Sequence, residues 1–516
     1  MANKSLFRSL VGKLVPRTDA VNEAGGRAYA RSPEGALAQY AATGCLNATF
    51  YAGADEQLGR VLELAAAVEP AFVAKTAVYA RERAFMKDVP ALLLASLSIR
   101  DGALFARAFP RVVTDARMLR TFVQILRSGA VGRKSLGTRP KRLVREWLAA
   151  QSGDGLLRAS VGQAPSLADV VKMVHPKPAS AEVRAFYGWL LGRAHDAAAL
   201  PAAVKAFEAF KAGRTGEVPD VPFLLLTALP LGREEWAAVA RRASWQTLRM
   251  NLATFARHGA FEVPGVAEAV AAKLRAPDAI RRARVFPYQL LVASTMADAV
   301  PRVVKDALQD AMELATANVP VLPGKVYVLP DTSGSMSSPV TGHRKGATSA
   351  VTCLDVAALV TAALLRKNPD AEVLPFAEDV KHARLEPRDT VTTNARALAA
   401  LGGGGTNCSA PLAALNRRRA KGDVVVYVSD NQSWIDVRQA PGSATMQEWA
   451  RFRDRNPGAK LVCIDLQPYG TGQAPDAGDV LNVGGFSDQV FEVVARFGRD
   501  GGAADHWARA VEEVQL

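Results

Sequence analysis

The C-terminal part of the chain alternates short apolar runs with helical segments, and this alternation constrains the fold more than any other feature. Strands are predicted at Lys325–Leu329, Glu372–Pro375, Asp423–Ser429 and Lys460–Asp465. Helices are predicted at Ala347–Lys367, Thr393–Leu401, Ala410–Ala420, Thr445–Asn456 and Gln489–Phe497. Alternating strands and helices build a parallel, doubly wound sheet, and such sheets bind ligands at the carboxyl ends of their strands.

An Asp-Thr-Ser-Gly-Ser turn, residues 331–335, follows the first of these strands almost directly. Asp331, Ser333 and Ser335 offer one carboxylate and two hydroxyls from a single loop. Oxygen donors of this kind are the ligands that hard divalent cations prefer. The turn therefore predicts a cation site at the carboxyl end of the strand.

Two more oxygen donors follow at loop ends further along the chain. Thr406 comes after four consecutive glycines, residues 402–405, and Asp430 comes after the predicted strand that ends at Ser429. In this order, the three pieces resemble the metal-ion-dependent adhesion site of von Willebrand factor A domains. The resemblance implies that one Mg²⁺, or another divalent cation, is held by Asp331, Ser333, Ser335, Thr406 and Asp430. It also implies that a carboxylate-bearing partner protein completes the coordination of the ion.

Two other interpretations of this loop stay open. Mg²⁺ and acidic residues also serve nucleases, but hydroxyls outnumber carboxylates here and no general base stands out nearby. Alternatively, the loop holds no metal and only caps the helix predicted at Ala347–Lys367. Trp434, beside the site in sequence, either lines its rim or packs beneath the loop. The glycine run is not a phosphate-binding loop because no Gly-Lys-Ser/Thr follows it, so we expect it to let the backbone bend toward Thr406.

The N-terminal part, from about residue 30 to 315, has the pattern of successive helices with little strand-like alternation. Examples are Glu56–Val68, Phe72–Ala84, Pro90–Leu97, Ser180–Arg193 and Leu200–Ala212. In the last of these, Pro201 is expected in the first turn and Gly213 just after the end. Paired helices of this length predict an α-solenoid of HEAT type, and a compact all-α domain is the alternative. The change of pattern near Pro320 predicts one domain over 1–320 and a second over 321–516.

The positive charge of the chain is unevenly distributed. The net charge is +14, yet residues 321–516 contain 21 Lys and Arg against 22 Asp and Glu. The whole excess of positive charge therefore belongs to residues 1–320. Such an asymmetry predicts a polyanionic partner, most simply a nucleic acid, for the N-terminal part alone.

Two stretches of the N-terminal part are candidates for binding phosphates. The first, residues 133–145, has six cations and no acid, namely Arg133, Lys134, Arg139, Lys141, Arg142 and Arg145. Clusters of this kind bind phosphate backbones by releasing condensed counterions, although a solvated helix face would have the same composition. The second stretch includes Lys172, His175 and Lys177. A single histidine in such a setting is otherwise a core residue or the end of a helix.

Several segments of the chain resemble the TROVE module of the Ro autoantigen family. They are GCLNATFYA (44–52), YARERAFMKDVPALLLASL (79–97), LGTRPKRLVREWL (136–148), DVVKMVHPKP (169–178) and WQTLRMNLATF (245–255). With a von Willebrand A domain after it, this module is similar to bacterial members of the Rsr type. The resemblance implies a ring of HEAT-like helical repeats followed by the A domain, without enzymatic activity.

The resemblance also implies partners and contact residues. Family members bind small structured Y RNAs on the outside of the ring and single-stranded ends of misfolded RNA in a basic central hole, and bacterial members associate with polynucleotide phosphorylase. His175 matches the histidine of the family's His-x-Lys-Pro segment, which is implicated in Y RNA binding, and Arg158 aligns with a basic residue upstream. A second family cation falls on Gly162 here, so the Y RNA contact departs from the family pattern.

The remaining composition predicts a monomeric cytoplasmic protein without a membrane segment. The four cysteines form no Cys-x-x-Cys pair, which favours reduced thiols over a zinc site or a disulfide framework. The first thirteen residues lack the apolar core of a signal peptide, and no uncharged apolar run approaches the length of a membrane span. Two functions are consistent with the sequence: a non-catalytic RNA-binding protein of noncoding RNA quality control or decay, and a metal-dependent adhesion or assembly factor.

Overall fold

The computed structural model describes residues 15–43, 46–213, 217–283, 287–295, 299–316, 319–343, 351–435, 442–467, 469–485, 488–500 and 506–516. The strands in chain order are β1 (Ala20–Val21), β2 (Arg27–Ala30), β3 (Val326–Pro330), β4 (Glu372–Val373), β5 (Val424–Ser429), β6 (Lys460–Asp465), β7 (Thr471–Gly472) and β8 (Val480–Gly484).

Helices make up most of the remaining regular structure. Up to Leu190 they are α1 (Pro33–Thr43), α2 (Ala54–Ala67), α3 (Pro70–Glu82), α4 (Asp88–Arg100), α5 (Gly102–Val112), α6 (Ala116–Ser128), α7 (Thr138–Ala149), α8 (Gly153–Ser160), α9 (Leu167–Val174) and α10 (Ala181–Leu190). Up to Ala315 they are α11 (Ala202–Gly213), α12 (Phe223–Leu226), α13 (Arg233–Arg242), α14 (Trp245–Arg257), α15 (Val266–Arg275), α16 (Pro277–Ala283), α17 (Pro287–Thr295) and α18 (Arg302–Ala315). The last six are α19 (Cys353–Lys367), α20 (Val391–Ala399), α21 (Ala410–Arg417), α22 (Ala444–Arg455), α23 (Asp488–Asp500) and α24 (His506–Glu512).

The C-terminal part is built on a five-stranded sheet with the order β4-β3-β5-β6-β8, in which every neighbouring pair is parallel. Its central strands, β3 and β5, are buried at every position. A strand covered on both faces is expected to be a continuous apolar run. Both strands have such a run: Val-Tyr-Val-Leu in β3 and Val-Val-Val-Tyr-Val in β5. The predicted α/β class is therefore confirmed.

Helices cover the sheet and supply its cores. α19 packs against β3 and β5, and twelve of its fifteen residues are buried. A second core joins Tyr327, Tyr427, Trp449 and Phe452, with Trp449 and Phe452 stacked at a ring-centroid distance of 5.7 Å. The sheet is thus held between two apolar layers, which fixes the ends of its strands.

The N-terminal segment contributes to the same compact unit as the sheet. β2 pairs with β7 in an antiparallel ladder, and α1 packs against β8. Arg31 forms an ion pair with Asp465 in which both side chains are almost completely buried. The described residues within 1–89, 285–292 and 312–515 therefore form one compact unit, and those within 90–284 and 293–311, with Leu516, form the other. These units differ from the division at residue 320 that the sequence pattern predicts, because the first 89 residues pack with the sheet.

The second unit is helical, as predicted. Phe105, Phe109 and Phe122 pack together between α5 and α6, with ring centroids 5.6 to 5.7 Å apart. α6 buries its apolar residues on one face, and Asp115 begins it by accepting a hydrogen bond from the N–H of Met118. Serine side chains cap α8, α9, α10 and α14 in the same way. The finer prediction of a HEAT-type solenoid stays a prediction.

Most of the predicted segments match the observed ones within a few residues. α11 begins at Ala202, after Pro201, and includes Gly213, so both expected positions were wrong by one residue. α19 begins at Cys353, and residues 344–350 lie outside the described residues. Cys353, Cys408 and Cys463 are buried and are not in disulfide bonds, whereas Cys45 lies outside the described residues. In the part of the chain that the structure describes, no helix is long and apolar enough to cross a membrane.

Candidate metal centre and nucleic-acid interface

The two carboxylates of the predicted metal site lie at the same edge of the sheet. β3 and β5 are parallel neighbours with Pro330 opposite Val428, so Asp331 and Asp430 both follow the carboxyl ends of adjacent strands. The Asp331 N–H continues the ladder by donating to the Val428 carbonyl at 3.0 Å. The strand register therefore brings together Asp331 and Asp430, which are 99 positions apart in the chain.

Asp331 is completely buried and is held by two hydrogen bonds. The Ser429 hydroxyl donates to Asp331 Oδ2 at 2.6 Å, and the Ser333 N–H donates to Asp331 Oδ1 at 2.8 Å. Burial raises the pKa of the Asp331 carboxyl above its usual range, and these hydrogen bonds oppose the shift. The side chain is therefore fixed in orientation before any cation binds.

Two of the three predicted hydroxyl ligands lie next to each other, and all three residues are buried. Ser333 Oγ and Ser335 Oγ lie 3.3 Å apart, and Ser335 is in the short 3-10 turn Gly334–Ser337. Ser333, Ser335 and Thr406 are each at most 5% exposed. Hydroxyls buried in this way need partners, and a cation is one partner that they can share.

The glycine run adopts the bend that the sequence predicts. Gly403 and Gly404 have φ angles of +118° and +99°, which side chains with a Cβ rarely adopt. The Gly403 N–H donates to the Thr332 carbonyl, and the Gly334 N–H donates to the Gly404 carbonyl, both at 2.8 Å. This pairing joins the glycine loop to the Asp-Thr-Ser-Gly-Ser turn immediately before Thr406.

Asp430 has a buried carboxylate oxygen that is free to bind a cation. The residue is 2% exposed, and its Oδ2 atom has no hydrogen-bond partner, while Oδ1 accepts a long hydrogen bond of 3.3 Å from the Gln432 N–H. Burial, and secondarily the charge of Asp331, raises the pKa of the Asp430 carboxyl to about 7. A cation beside this oxygen would offset both effects, so the donor set fits a hard divalent ion.

Within the described residues, no group of three His, Cys, Asp or Glu side chains is placed to hold a metal ion. A cation bound by the predicted set would therefore be coordinated by two carboxylates and three hydroxyls. The set is suited to Mg²⁺ bound with additional water or with an external carboxylate, because five neutral or singly charged oxygens leave room in an octahedral shell.

Cation binding at this site is expected to strengthen as the pH rises. The folded-state pKa of Asp430 is raised to about 7, so below that pH a proton competes with the cation for the carboxylate. We expect the apparent Mg²⁺ affinity to increase about tenfold per pH unit up to about pH 7 and to level off above it. Calorimetric titrations at constant ionic strength would measure this. An affinity that does not change across this range would contradict the prediction.

Helix capping by the metal loop is excluded as its only role. α19 has Thr352 as its N-cap, with a capping box in which Thr352 and Asp355 bond each other's backbone N–H groups. Trp434 is 45% exposed, and its backbone N–H donates to the Thr406 carbonyl at 3.1 Å. Its ring also lies close to Gly405, where a Cβ would come within 2.9 Å of the indole. The indole thus covers the glycine loop and remains open to solvent.

Sequence reasoning missed the residues that surround the site from elsewhere in the chain. Tyr51 lies within hydrogen-bonding reach of Ser335, and burial, followed by the charge of Asp430, raises the pKa of its phenol to about 12. Lys381 Nζ donates to the carbonyls of Leu401 and Gly403 at 2.6 and 2.7 Å. No local pattern marks either residue, because each reaches the site through tertiary packing.

The N-terminal hairpin supports the loop that follows Asp430. Asn22 Nδ2 donates to the Ser433 carbonyl at 2.7 Å, and the Glu23 N–H donates to Gln432 Oε1 at 2.9 Å. Gly26 approaches so closely that a Cβ there would lie 1.9 Å from the Ser433 oxygen. Residues of the hairpin thus fix the position of this loop, although they lie more than 400 positions before it in the chain.

The predicted phosphate-binding residues lie on α7, α8 and α9, in the loop before α7 and in the segment just after α9. Exposed side chains are Lys134, Arg139, Arg142, Arg145, Arg158, Lys172, His175 and Lys177, and half-buried ones are Arg133 and Lys141. Arg145 Nε donates to the Val174 carbonyl at the end of α9, next to His175. This bond joins the two basic stretches. His175 is the C-cap of α9 with a φ of +48°, so it ends a helix as the alternative interpretation proposed.

Two observations near these helices bear on the predicted roles of Arg158 and Gly162. Arg158 of α8 lines a cavity together with Arg242 of α13. At Gly162, a Cβ would lie 2.3 Å from Arg120 Nη2, and Arg120 Nη1 donates to the Ala159 carbonyl at 2.8 Å. A guanidinium from α6 therefore occupies the space beside the position where the family has a cation.

The sequence of this chain is similar to that of known RNA-binding proteins. The family model described as the Ro60 vWA domain matches residues 325–498, which include β3 to β8. The chain is 26% identical over 540 residues to the RNA-binding protein RO60 of Deinococcus radiodurans, with 96% of this chain and 99% of that protein covered. The chain is therefore similar to a Ro protein over nearly its whole length.

A second relative and a solved structure show the same similarity. The chain is 26% identical over 272 residues to the RNA-binding protein RO60 of Caenorhabditis elegans, a match that covers 48% of this chain and 39% of that protein. The crystal structure of the Deinococcus radiodurans RO (RSR) protein has the same fold, with a TM-score of 0.61 and 22% identity. It covers 91% of this chain and 99% of that one, so the Ro fold accounts for both compact units.

Proposed function

We propose that this Ro-family chain is a non-catalytic RNA-binding protein. It binds small structured, Y-like noncoding RNA and the single-stranded ends of misfolded RNA, and it acts in RNA quality control or decay. The observation that carries the proposal is the set of exposed cations on α7, α8 and α9, in a part of the chain that holds the whole excess of positive charge. Two relatives named RNA-binding protein RO60 support it.

The physics of the contact follows from the side chains that are available. Lysine and arginine side chains neutralise phosphates without reading the base sequence, so they suit a partner recognised by shape and by free ends. Aromatic residues make up only 7% of the chain, so electrostatics rather than base stacking should dominate affinity. The proposal includes the ring of HEAT-like repeats that the resemblance implies, with Y-like RNA outside and single-stranded ends in the hole.

Partners and location belong to the same proposal. We expect a cytoplasmic monomer that cooperates with polynucleotide phosphorylase, and Mg²⁺ at Asp331, Ser333, Ser335, Thr406 and Asp430. There the ion accepts a carboxylate from a partner protein. The second candidate function, a metal-dependent assembly factor, is favoured by the unpartnered Asp430 Oδ2 at this site. In that case the helical unit would bind protein rather than RNA.

A salt titration tests the proposed function directly. For a structured RNA with a single-stranded 3′ tail, the logarithm of affinity should fall linearly with the logarithm of salt concentration. The expected loss is about a thousandfold between about 50 mM and about 200 mM salt, because several phosphate contacts release counterions. Filter binding would measure it, and the same RNA without its tail is the control for end recognition. A shallow slope, or no binding, would count against the proposal and favour the assembly factor.

A further inference from the structure

A cavity of about 290 Å³ opens in the helical unit between α8 and the segment from Val218 to Thr247. Its size is at the lower end of the range of small-molecule pockets, which is about 300–1,000 Å³. It is therefore large enough for one small polar molecule or one unit of a polymer, and too small for a duplex. Its lining includes Arg158 from the predicted RNA-binding set, but no function considered above assigns a role to the cavity itself.

One wall of the cavity is built to receive an anion. Arg158 comes from α8 and Arg242 from the end of α13, so two guanidinium groups approach the cavity from different helices. Arg242 also donates to the Val218 carbonyl, which holds its side chain in place. Ser244 Oγ and Thr247 Oγ1 lie 2.8 Å apart on the same wall. Guanidinium forks and hydroxyls are the groups that bind phosphate oxygens.

The cavity also has an apolar, aromatic part, which Phe223 supplies. Phe223 lines the cavity and is half-buried, and its ring meets Phe255 and Trp236 edge-on at 5.8 and 6.3 Å. These contacts hold the ring rigid, with part of it facing the cavity. A fixed aromatic surface beside a phosphate-binding wall suits a nucleobase, since bases stack on aromatic rings without regard to sequence.

Asp220 makes the cavity selective among anions. Its exposed carboxylate lies in the wall and would repel a ligand that is negatively charged throughout, such as a polyphosphate. The same carboxylate accepts hydrogen bonds from ribose hydroxyls or from amino groups of a base. A ligand with one phosphate and several donors therefore matches the wall better than a simple inorganic anion does.

We propose that this cavity binds one unpaired nucleotide of a bound RNA, with its phosphate between Arg158 and Arg242 and its base against Phe223. This inference rests on the proposed RNA-binding function and adds a specific subsite to it. In this subsite Arg158 contacts a single nucleotide rather than the backbone of a structured RNA.

Replacing Arg158 with alanine is expected to weaken binding of a single-stranded oligouridylate about tenfold, because a charge-assisted contact to phosphate is lost. Arg241→Ala is the matched control. Arg241 is also exposed and adjoins Arg242, but it donates to the Pro264 carbonyl and does not line the cavity. Thermal melting should show both variants folded. An oligouridylate with thiouridine at its 3′ end should photo-cross-link to the wild type between Val218 and Leu226.

The outcomes separate the subsite from the proposed function. Equal binding of the oligouridylate by the wild type and Arg158→Ala, or a cross-link elsewhere in the chain, would overturn the subsite and leave RNA binding intact. Binding of free uridine monophosphate without binding of the oligonucleotide would show that the cavity takes a small nucleotide instead of RNA, against the inference. No binding of any RNA by the wild type would overturn both proposals.

Discussion

Replacing Arg133, Lys134, Lys141 and Arg142 with glutamate is expected to weaken binding of a structured RNA with a single-stranded 3′ tail by at least about 100-fold. Each replacement removes an attraction to phosphate and adds a repulsion. Lys134 and Arg142 are exposed, and Arg133 and Lys141 are half-buried, so the charges are available to a ligand at little structural cost. Arg142 loses only an exposed ion pair with Glu146, at 3.5 Å. Such a pair contributes little to stability.

The matched control places the same charge change in the near-neutral C-terminal part. Arg384, Arg388, Arg396 and Arg417 are all exposed there, and replacing them with glutamate changes the net charge by the same amount. Filter binding at one salt concentration would compare both variants with the wild type. RNA binding that survives the first variant, or that both variants lose equally, would refute a localised RNA surface on α7 and the loop before it.

Replacing Asp331 with alanine is expected to abolish Mg²⁺ binding by the protein. Asp331 is the carboxylate that the strand end delivers into the site, and Asp430 with three hydroxyls would leave only one negative charge to hold a dication. The change also leaves the Ser429 hydroxyl and the Ser333 N–H without their buried acceptor. We therefore expect an additional loss of about 1–3 kcal/mol in the free energy of unfolding.

Asp331→Asn separates the two effects, because the amide keeps the volume and one acceptor but removes the charge. Calorimetry would measure Mg²⁺ binding, and thermal melting with and without Mg²⁺ would measure its coupling to stability. Asp454→Ala, at an exposed position of α22, is the control. Full Mg²⁺ affinity in Asp331→Asn would remove Asp331 from the site. If labelled RNA were cleaved by the wild type with Mg²⁺ and not by Asp331→Ala, the non-catalytic proposal would be wrong.

Much of the candidate metal site could be predicted because its residues follow buried strands. A continuous apolar run such as Val424–Val428 has few alternatives to a central parallel strand, and the residue after it must lie at the edge where ligands bind. Asp331 and Asp430 are therefore placed by pattern alone. β8 was missed because it is a run of five residues interrupted by Asn482, and only its parallel pairing with β6 defines it as a strand.

The sequence by itself determined the order of helices and strands, the oxygen donors at two strand ends, and the concentration of positive charge before residue 320. Local periodicity and composition record these features, because each depends on neighbours within a few turns or strand residues. Only the tertiary structure decided that Tyr51 reaches Ser335 and that the hairpin around Asn22 contacts the loop after Asp430. It also decided that Arg158 shares a cavity with Arg242. Contacts between distant segments depend on how the buried faces of helices and sheet fit together, and no local pattern of residues encodes that packing.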